Sequence, residues 1–299
     1  MSIAWIFPGQ GSQKLGMAED ILTFSESKVR FQEASNLLGK DLLEICSKNN
    51  LGTDNVDTPL NNTENTQLAL FVLETLLIDI LLLQGSQPHM VAGHSLGEFS
   101  ALYAAGVFNI TTGLNLVKYR SQLMASANGG GMIAIIGFDE MQLKELLAKR
   151  QDIVIANDNS PSQVVLSGEK YAIQDISKVI TCKRAIPLMV SGAFHSPFMH
   201  EAATTFSQIL DTTIFHDAQI PVLSNVDPIP SCDGSLLKQR LQRQMTTGVR
   251  WRETMQAFDY HGIHLTIELG PGGVLGNLCK RNLRSVTSVQ IADSSDLGL

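Results

Sequence analysis

The chain has 299 residues, 44% of them apolar and 17% charged, and 29 acidic against 22 basic side chains give a formal charge of −7. This composition excludes a disordered chain, and a chain of this length can bury about 75% of its unfolded surface without help from disulfides or metal. The excess of acid argues against non-specific attraction to nucleic acid or anionic lipid, so neither nucleic acid nor membrane is expected as a partner.

In chain order, residues 3–7 form a short apolar run ending in Pro8-Gly9-Gln10-Gly11-Ser12-Gln13, which reads as a buried strand entering a glycine-rich turn. The N-terminus has no basic region and no cleavage site, so no signal peptide is predicted. A mostly helical region follows from about 17 to 83, broken at Gly39 and by the polar stretch 49–66. The most apolar segment, 68–83, is shorter than the ~20 residues of a membrane span and carries Glu74 and Asp79. It reads as a helix buried almost all round, capped by Asn65 or Thr66 and ended by Gly85. A strand over 89–92 enters Gly93-His94-Ser95-Leu96-Gly97, then a helix of small residues runs to Gly106, and Thr111 or Thr112 caps the next helix.

The character changes at Asn128-Gly129-Gly130-Gly131. Strand, helix, strand, strand, helix, strand are predicted over 132–136, 140–149, 153–156, 163–167, 171–179 and 185–190, the order of a ferredoxin-like split unit. Residues 129–191 therefore read as a small inserted domain, with 1–128 and 192–299 forming one large domain. Later come helices from Pro197, over 236–245 and over 252–260, and strands at 221–225 and 265–269. The last strand ends in a third glycine turn, Gly270-Pro271-Gly272-Gly273, and the tail beyond about 286 is expected to be a loose end. Cys46, Cys182, Cys232 and Cys279 are widely spaced, with neither CxxC nor zinc spacing. They read as reduced thiols of a cytoplasmic protein, and no metal site is predicted.

Gly93-His94-Ser95-Leu96-Gly97 fits the G-x-S-x-G elbow, in which a sharp strand-to-helix turn exposes a serine hydroxyl. The glycines remove Cβ atoms that would clash, and the Leu96 N–H at the helix start can donate to an oxyanion. A serine at its ordinary pKa needs a base. Of seven histidines, His195 stands out in a loop of small residues, Ser191-Gly192-Ala193-Phe194-His195-Ser196, but spacing alone does not select it. His94, beside the serine, suits orientation or substrate contact. Arg120 falls on the apolar stripe formed by Leu116, Val117, Leu123 and Met124. A structural ion pair, a snorkelling stem and a clamp for a substrate carboxylate all remain open for it.

Four motifs in order, Phe7-Pro8-Gly9-Gln10-Gly11-Ser12-Gln13, GHSLGEFS from Gly93, GAFHS from Gly192 and ELGPGGVL from Glu268, resemble the malonyl-CoA:acyl-carrier-protein transacylases of fatty-acid and polyketide synthesis. The resemblance runs from Ile3 to about Leu283. It implies an α/β-hydrolase-like large domain with a parallel sheet and an inserted ferredoxin-like small domain. It further implies Ser95 as acylated nucleophile and His195 as base, oriented by the Gln244 carbonyl in place of an acidic triad member. Gln10 and the Leu96 amide would form the oxyanion hole, Arg120 would pair with the malonyl carboxylate, and Asn159 would lie near the acyl or pantetheine site.

Malonyl-CoA and an acyl carrier protein are the implied partners, no resident cofactor is implied, and a monomer is expected. Carrier proteins are acidic, so Arg240, Arg243, Arg250, Arg252, Lys280, Arg281 and Arg284, which bracket the third glycine turn, are candidates to receive one. Leu96 and the Ala193-Phe194-His195-Ser196 loop resemble malonyl-selective members, and the stretch 100–108 resembles free-standing polyketide acyltransferases. Two departures stand out. Gly248 replaces the usual proline before Val249-Arg250-Trp251, which puts the Gln244 position in question, and Gly273 replaces a frequent lysine. An acyl hydrolase of the same fold and an idle synthase subunit are the alternative readings.

Overall fold

The computed structural model describes residues 2–50, 58–127, 129–283 and 285–297. From the N-terminus, β1 (Ile3–Phe7) is followed by α1 (Ser25–Leu38), α2 (Leu42–Cys46) and α3 (Thr63–Leu83), and β2 (Met90–Gly93) leads into α4 (Gly97–Ala104) and α5 (Ile110–Ser126). Next come β3 (Gly131–Ile136), α6 (Glu140–Ala148), β4 (Ile153–Ser160), β5 (Gln163–Gly168), α7 (Lys170–Val179) and β6 (Arg184–Pro187). The chain closes with α8 (His200–Thr212), β7 (Val222–Leu223), α9 (Gly234–Arg243), α10 (Trp251–Tyr260), β8 (Leu265–Leu269), α11 (Val274–Asn282) and β9 (Thr287–Ile291).

Two sheets organise these elements. One is parallel throughout, in the order β7-β2-β1-β8-β9. Its central strand β1 is buried on both sides, which is why it reads as an unbroken apolar run. Alternate residues serve opposite faces: Trp5 and Phe7 join the core built around α3, while Ala4 and Ile6 join Trp251, Phe258 and Leu278 of α10 and α11. The other sheet is antiparallel, in the order β4-β5-β3-β6, which is the strand order of the split unit read from the sequence. Ile133, Ile135 and Leu166 face α6 and α7, whereas Met132, Ala134 and Val165 pack into the core of the larger layer. Gly129 and Gly192 pair in an isolated bridge, so the chain leaves for the small sheet and returns from it at one place.

Several sequence expectations are corrected. The tail after 286 is not loose: β9 pairs with β8 over five residues and extends the parallel sheet. Thr287-Ser288-Val289-Gln290-Ile291 carries only two apolar residues, so its pairing comes from proximity to β8 rather than from hydrophobic patterning. The third glycine turn opens a helix, α11, that the sequence reading did not separate. The cap of α3 is Asn62, whose side chain accepts from Glu64 N–H at 3.0 Å. Asn65 and Thr66 lie inside the helix and donate to Pro59 O and Leu60 O of the preceding turn. The cap of α5 is Asn109, which accepts from Thr112 N–H.

With its 21 residues α3 is long and apolar enough to cross a membrane, but most of its surface is covered by protein. The two acidic residues within its apolar stretch, Glu74 and Asp79, are both accommodated. Asp79 pairs with Arg30 at 2.6 Å and accepts from Tyr103 Oη at 2.8 Å. Glu74 is fully buried, accepts from Ser100 Oγ at 2.5 Å, and its other oxygen has no hydrogen-bond partner among the described residues. Burial, with Glu268 nearby, holds the Glu74 carboxyl well above its ordinary value. The unfolded chain loses this proton near pH 4.5 while the folded chain keeps it, so stability falls as pH rises beyond 4.5. The Glu74→Gln variant removes that proton exchange. Thermal melts should show it gaining stability over the parent at pH 8 and losing most of the gain at pH 4.5; a gain independent of pH would contradict the buried neutral carboxyl.

Candidate active site

The turn between β2 and α4 puts Ser95 at φ 55, and the loop before α8 puts His195 at φ 56. Among the described residues these are the only non-glycine residues with positive φ. A left-handed conformation costs an L-residue about 1–2 kcal/mol, and it persists where the surroundings over-determine it. At Ser95 they do. A Cβ on Gly93 would run into the Gly97 carbonyl, and one on Gly97 would run into Phe7 O at the end of β1. Asn225, two residues beyond β7, splints the turn: its Oδ1 accepts from Ser95 N–H at 2.7 Å and its Nδ2 donates to Gly93 O at 2.5 Å.

Ser95 Oγ lies 2.7 Å from His195 Nε2, and His195 Nδ1 lies 2.9 Å from the main-chain oxygen of Gln244. A carbonyl can only accept, so Nδ1 carries the ring proton and Nε2 is left to accept from the serine hydroxyl. Burial pushes the His195 pKa down to about 3, with the Arg120 charge acting in the same direction. The ring is therefore neutral at physiological pH, the form in which it can take a proton. The departure at Gly248 does not displace Gln244. A Cβ there would stand 2.5 Å from Ile155 O, so glycine is what lets this loop approach β4. At the other departure, Gly273 caps α11 with φ 64, a conformation that would strain a lysine.

Arg120 is fully buried, with its guanidinium over the Phe99 ring at 5.4 Å. Nη1 donates to Gln67 Oε1 at 2.7 Å, and Nη2 donates to Gln244 Oε1 at 2.9 Å and to Ser95 Oγ at 3.0 Å. Its Nε has no hydrogen-bond partner among the described residues, and no carboxylate among them lies within ion-pair distance. Neither the structural ion pair nor the snorkelling stem therefore accounts for it. Burial lowers its pKa to about 10, opposed by Glu98, so it remains charged at neutral pH. A desolvated cation with a spare donor, touching the Ser95 hydroxyl, has the chemistry to hold an anion.

A cavity of about 80 Å³ opens on Ser95, His195 and Arg120, with apolar walls from Met124, Met132, Leu188, Val190 and Phe194. Gln10 and Leu96 line it as well, and neither main-chain N–H has an acceptor among the described residues. The Gln10 side chain donates to Thr63 Oγ1 at 3.1 Å. His94 lines the cavity, tilts against Trp251, and meets Asn159 Oδ1 through Nε2 at 2.9 Å. Asn159 stands behind His94, and it is Asn157, two residues earlier on β4, that faces the cavity.

The basic side chains near the third glycine turn separate into two groups. Arg240 is buried and pairs with Asp227, so it is no surface charge; this corrects the expectation. Arg250 pairs with Glu253 and Arg252 with Asp158. Arg243, Lys280 and Arg281 are exposed, Arg281 donating to Gln163 Oε1, and Arg284 lies outside the described residues. Sequence reasoning missed Gln67, Glu98 and Asn225. The first two were legible as polar residues on otherwise apolar or small-residue helices. Asn225 carried no local signal, because its role depends on β7 lying beside β2.

The sequence matches the acyl transferase domain family over residues 4–295. It is 48% identical to a malonyl CoA-acyl carrier protein transacylase of Synechocystis sp., covering 99% of both chains. The crystal structure of a Synechocystis malonyl-CoA:ACP transacylase, also 48% identical, superposes with a TM-score of 0.95 over 100% of this chain and 99% of that one. The polyketide biosynthesis transacylase PksC of Bacillus subtilis is 37% identical over 93% of this chain and 96% of its own. A malonyl-transacylase solved with its type II polyketide acyl-carrier protein is 34% identical, with a TM-score of 0.91 over 99% and 98% of the two chains.

His195 sets a test that is independent of any substrate. Its ordinary pKa is 6.5 and its folded value about 3, so between these pH values the unfolded chain binds a proton that the folded chain does not. Stability should fall with acidification across that window by at most about 1.4 kcal/mol per pH unit for this one group. Urea unfolding of wild type and His195→Gln between pH 7 and 4 should give a shallower decline for the variant; parallel declines would contradict the neutral buried ring.

Proposed function

Since the chain belongs to the acyl transferase domain family, over residues 4–295, we propose that it moves a malonyl group from coenzyme A to the phosphopantetheine thiol of an acyl carrier protein. The observation that carries the malonyl assignment is Arg120, a buried cation 3.0 Å from the Ser95 hydroxyl. A neutral acyl group would leave this charge without an anion, whereas the free carboxylate of a malonyl group supplies one.

The first half-reaction follows from the distances. His195 Nε2 takes the proton of Ser95 Oγ as that oxygen attacks the thioester carbonyl. The main-chain N–H groups of Gln10 and Leu96 receive the developing oxyanion; one such donor is typically worth ~10²–10³ in turnover. The C–S bond breaks, the departing thiolate takes the proton from His195, and malonyl-Ser95 remains. The Gln244 carbonyl stabilises the transient imidazolium where an acid would stand in a triad. The carrier's pantetheine thiol then gives its proton to His195, attacks the ester carbonyl and leaves as malonyl thioester, while Ser95 recovers its proton.

His94 orients at the cavity wall with Asn159 behind it. No resident cofactor enters these steps, because coenzyme A and pantetheine arrive with the two substrates. The four cysteines are free thiols, which supports a cytoplasmic, reducing setting.

Arg120→Ala should lower kcat/KM for malonyl-CoA about 10–100-fold, the scale of a lost charged hydrogen bond, while sparing or raising acetyl transfer; equal losses on both substrates would defeat the clamp. The exposed Lys280 and Arg281 are the side chains offered to an acidic carrier. Reversing both charges (Lys280→Glu with Arg281→Glu) should raise KM for the carrier several-fold and leave serine acylation by malonyl-CoA unchanged. An unchanged carrier KM would move the docking face elsewhere.

A further inference from the structure

The acyl-transfer steps make no use of Glu98, yet it is the carboxylate built into the site. It is the second residue of α4, three past the nucleophile, and is 1% exposed. Its Oε2 accepts from Gln244 Nε2 at 2.7 Å and from Asn225 N–H at 3.3 Å. The direction of the Gln244 amide follows from donor and acceptor chemistry. Arg120 has only donors, so the Gln244 atom 2.9 Å from its Nη2 is the oxygen. The other end of the amide is then an NH2 group that needs acceptors, and it finds Ser95 O at 2.9 Å and the Glu98 carboxylate. Turning the amide over would set NH2 against the guanidinium, a donor against a donor in a buried site, and would leave Ser95 O without its donor.

We propose that Glu98 is a positioning residue: by holding the Gln244 amide in one orientation, it fixes the direction in which Arg120 presents its N–H groups beside Ser95. This rests on the malonyl-transfer reading above. Burial raises the Glu98 carboxyl above its ordinary value, opposed by its hydrogen bonds to Gln244 and Asn225 and by the Arg120 charge, and it stands near Arg120 without touching it, so the guanidinium keeps its donors for the substrate. An ion pair in direct contact would occupy those donors, and Gln244 acts as the spacer that prevents it.

The test compares Glu98→Leu, which keeps most of the volume and removes the acceptor, with Glu98→Gln, whose amide oxygen can still accept from Gln244. Malonyl-CoA and acetyl-CoA are the probes, with acyl-serine followed by mass spectrometry and steady-state transfer to a carrier protein. The Leu variant should lose about tenfold in the ratio of malonyl to acetyl kcat/KM, the scale of one charge-assisted hydrogen bond. The loss should appear as a higher KM for malonyl-CoA with the acetyl-CoA KM unchanged. The Gln variant should recover most of the ratio. If the Leu variant does not fold, Glu98→Asp withdraws the carboxylate by one methylene and should lower the same ratio. Equal losses on both substrates, or a Gln variant as unselective as the Leu variant, would overturn the proposal. A wild-type protein that forms no malonyl-serine would defeat the functional reading itself, and this proposal with it.

Discussion

Everything in the site depends on how closely the backbone packs where β1, β2 and α4 meet. Parallel pairing brings Phe7 opposite Gly93, and the chain must then reverse within three residues to start a helix. Side chains at Gly93 or Gly97 would occupy space already held by main-chain carbonyls, and a Cβ at Gly9 would stand 2.5 Å from His94 O. The compression leaves Ser95 the left-handed conformation, with its hydroxyl outward and its amide pinned by Asn225. It also brings the loop after β1 against the elbow, so that Gln10 and Leu96 border the same cavity. The strain is small beside the packing that enforces it, and it is shared with His195, whose ring meets the Ser95 hydroxyl at 2.7 Å.

Electrostatics set the second layer. An imidazole must be neutral to accept a proton, and a guanidinium must stay charged to hold an anion, and His195 and Arg120 border one pocket. Burial acts on each in the direction that disfavours charge. For His195 burial leaves the ring unprotonated, the form in which an imidazole can accept a proton, and the neighbouring cation reinforces it. For Arg120 the intrinsic pKa is high enough that a fall to about 10 still leaves it charged. Gln244 joins the two: its main-chain oxygen fixes the histidine tautomer, and its side chain separates the arginine from Glu98. An amide suits this place because it can face a pure donor at one end and pure acceptors at the other.

The small sheet completes the cavity rather than sitting apart from it. The edge strand β4 is held to the larger layer by Asp158 N–H to Val249 O, Val249 N–H to Ala156 O, the Arg252–Asp158 pair and Asn282 Nδ2 to Asn159 O. These contacts bring the loop before α10 close to β4, and in this chain a Cβ at Gly248 would stand 2.5 Å from Ile155 O. They carry Asn157 to the cavity wall, while Met132 on β3 and Leu188 and Val190 after β6 close it from the other side. Docked in this way, the sheet lowers the dielectric around the Arg120 and His195 side chains, both of which are buried.

The sequence by itself determined most of the elements and the serine elbow. Apolar runs, glycine turns and the G-x-S-x-G spacing are local signals, and local sterics read them the same way in any context. Ser95 and the inward-facing Arg120 were visible for that reason, as was the split unit between the glycines at 129 and 192. Which histidine serves the serine was a tertiary decision. His195 lies 100 residues from Ser95 along the chain and reaches it because the small sheet closes back onto the large one at the Gly129–Gly192 bridge. Asn225 and Gln244 are further still, at 130 and 149 residues. β9 was hidden for the same reason, since an edge strand with two apolar residues is recognised only by the neighbour that pairs with it. Periodicity and spacing report interactions within one turn or one strand. The partners of a buried cation, the tautomer of a base and the pairing of a polar edge belong to contacts that exist only after the layers have packed.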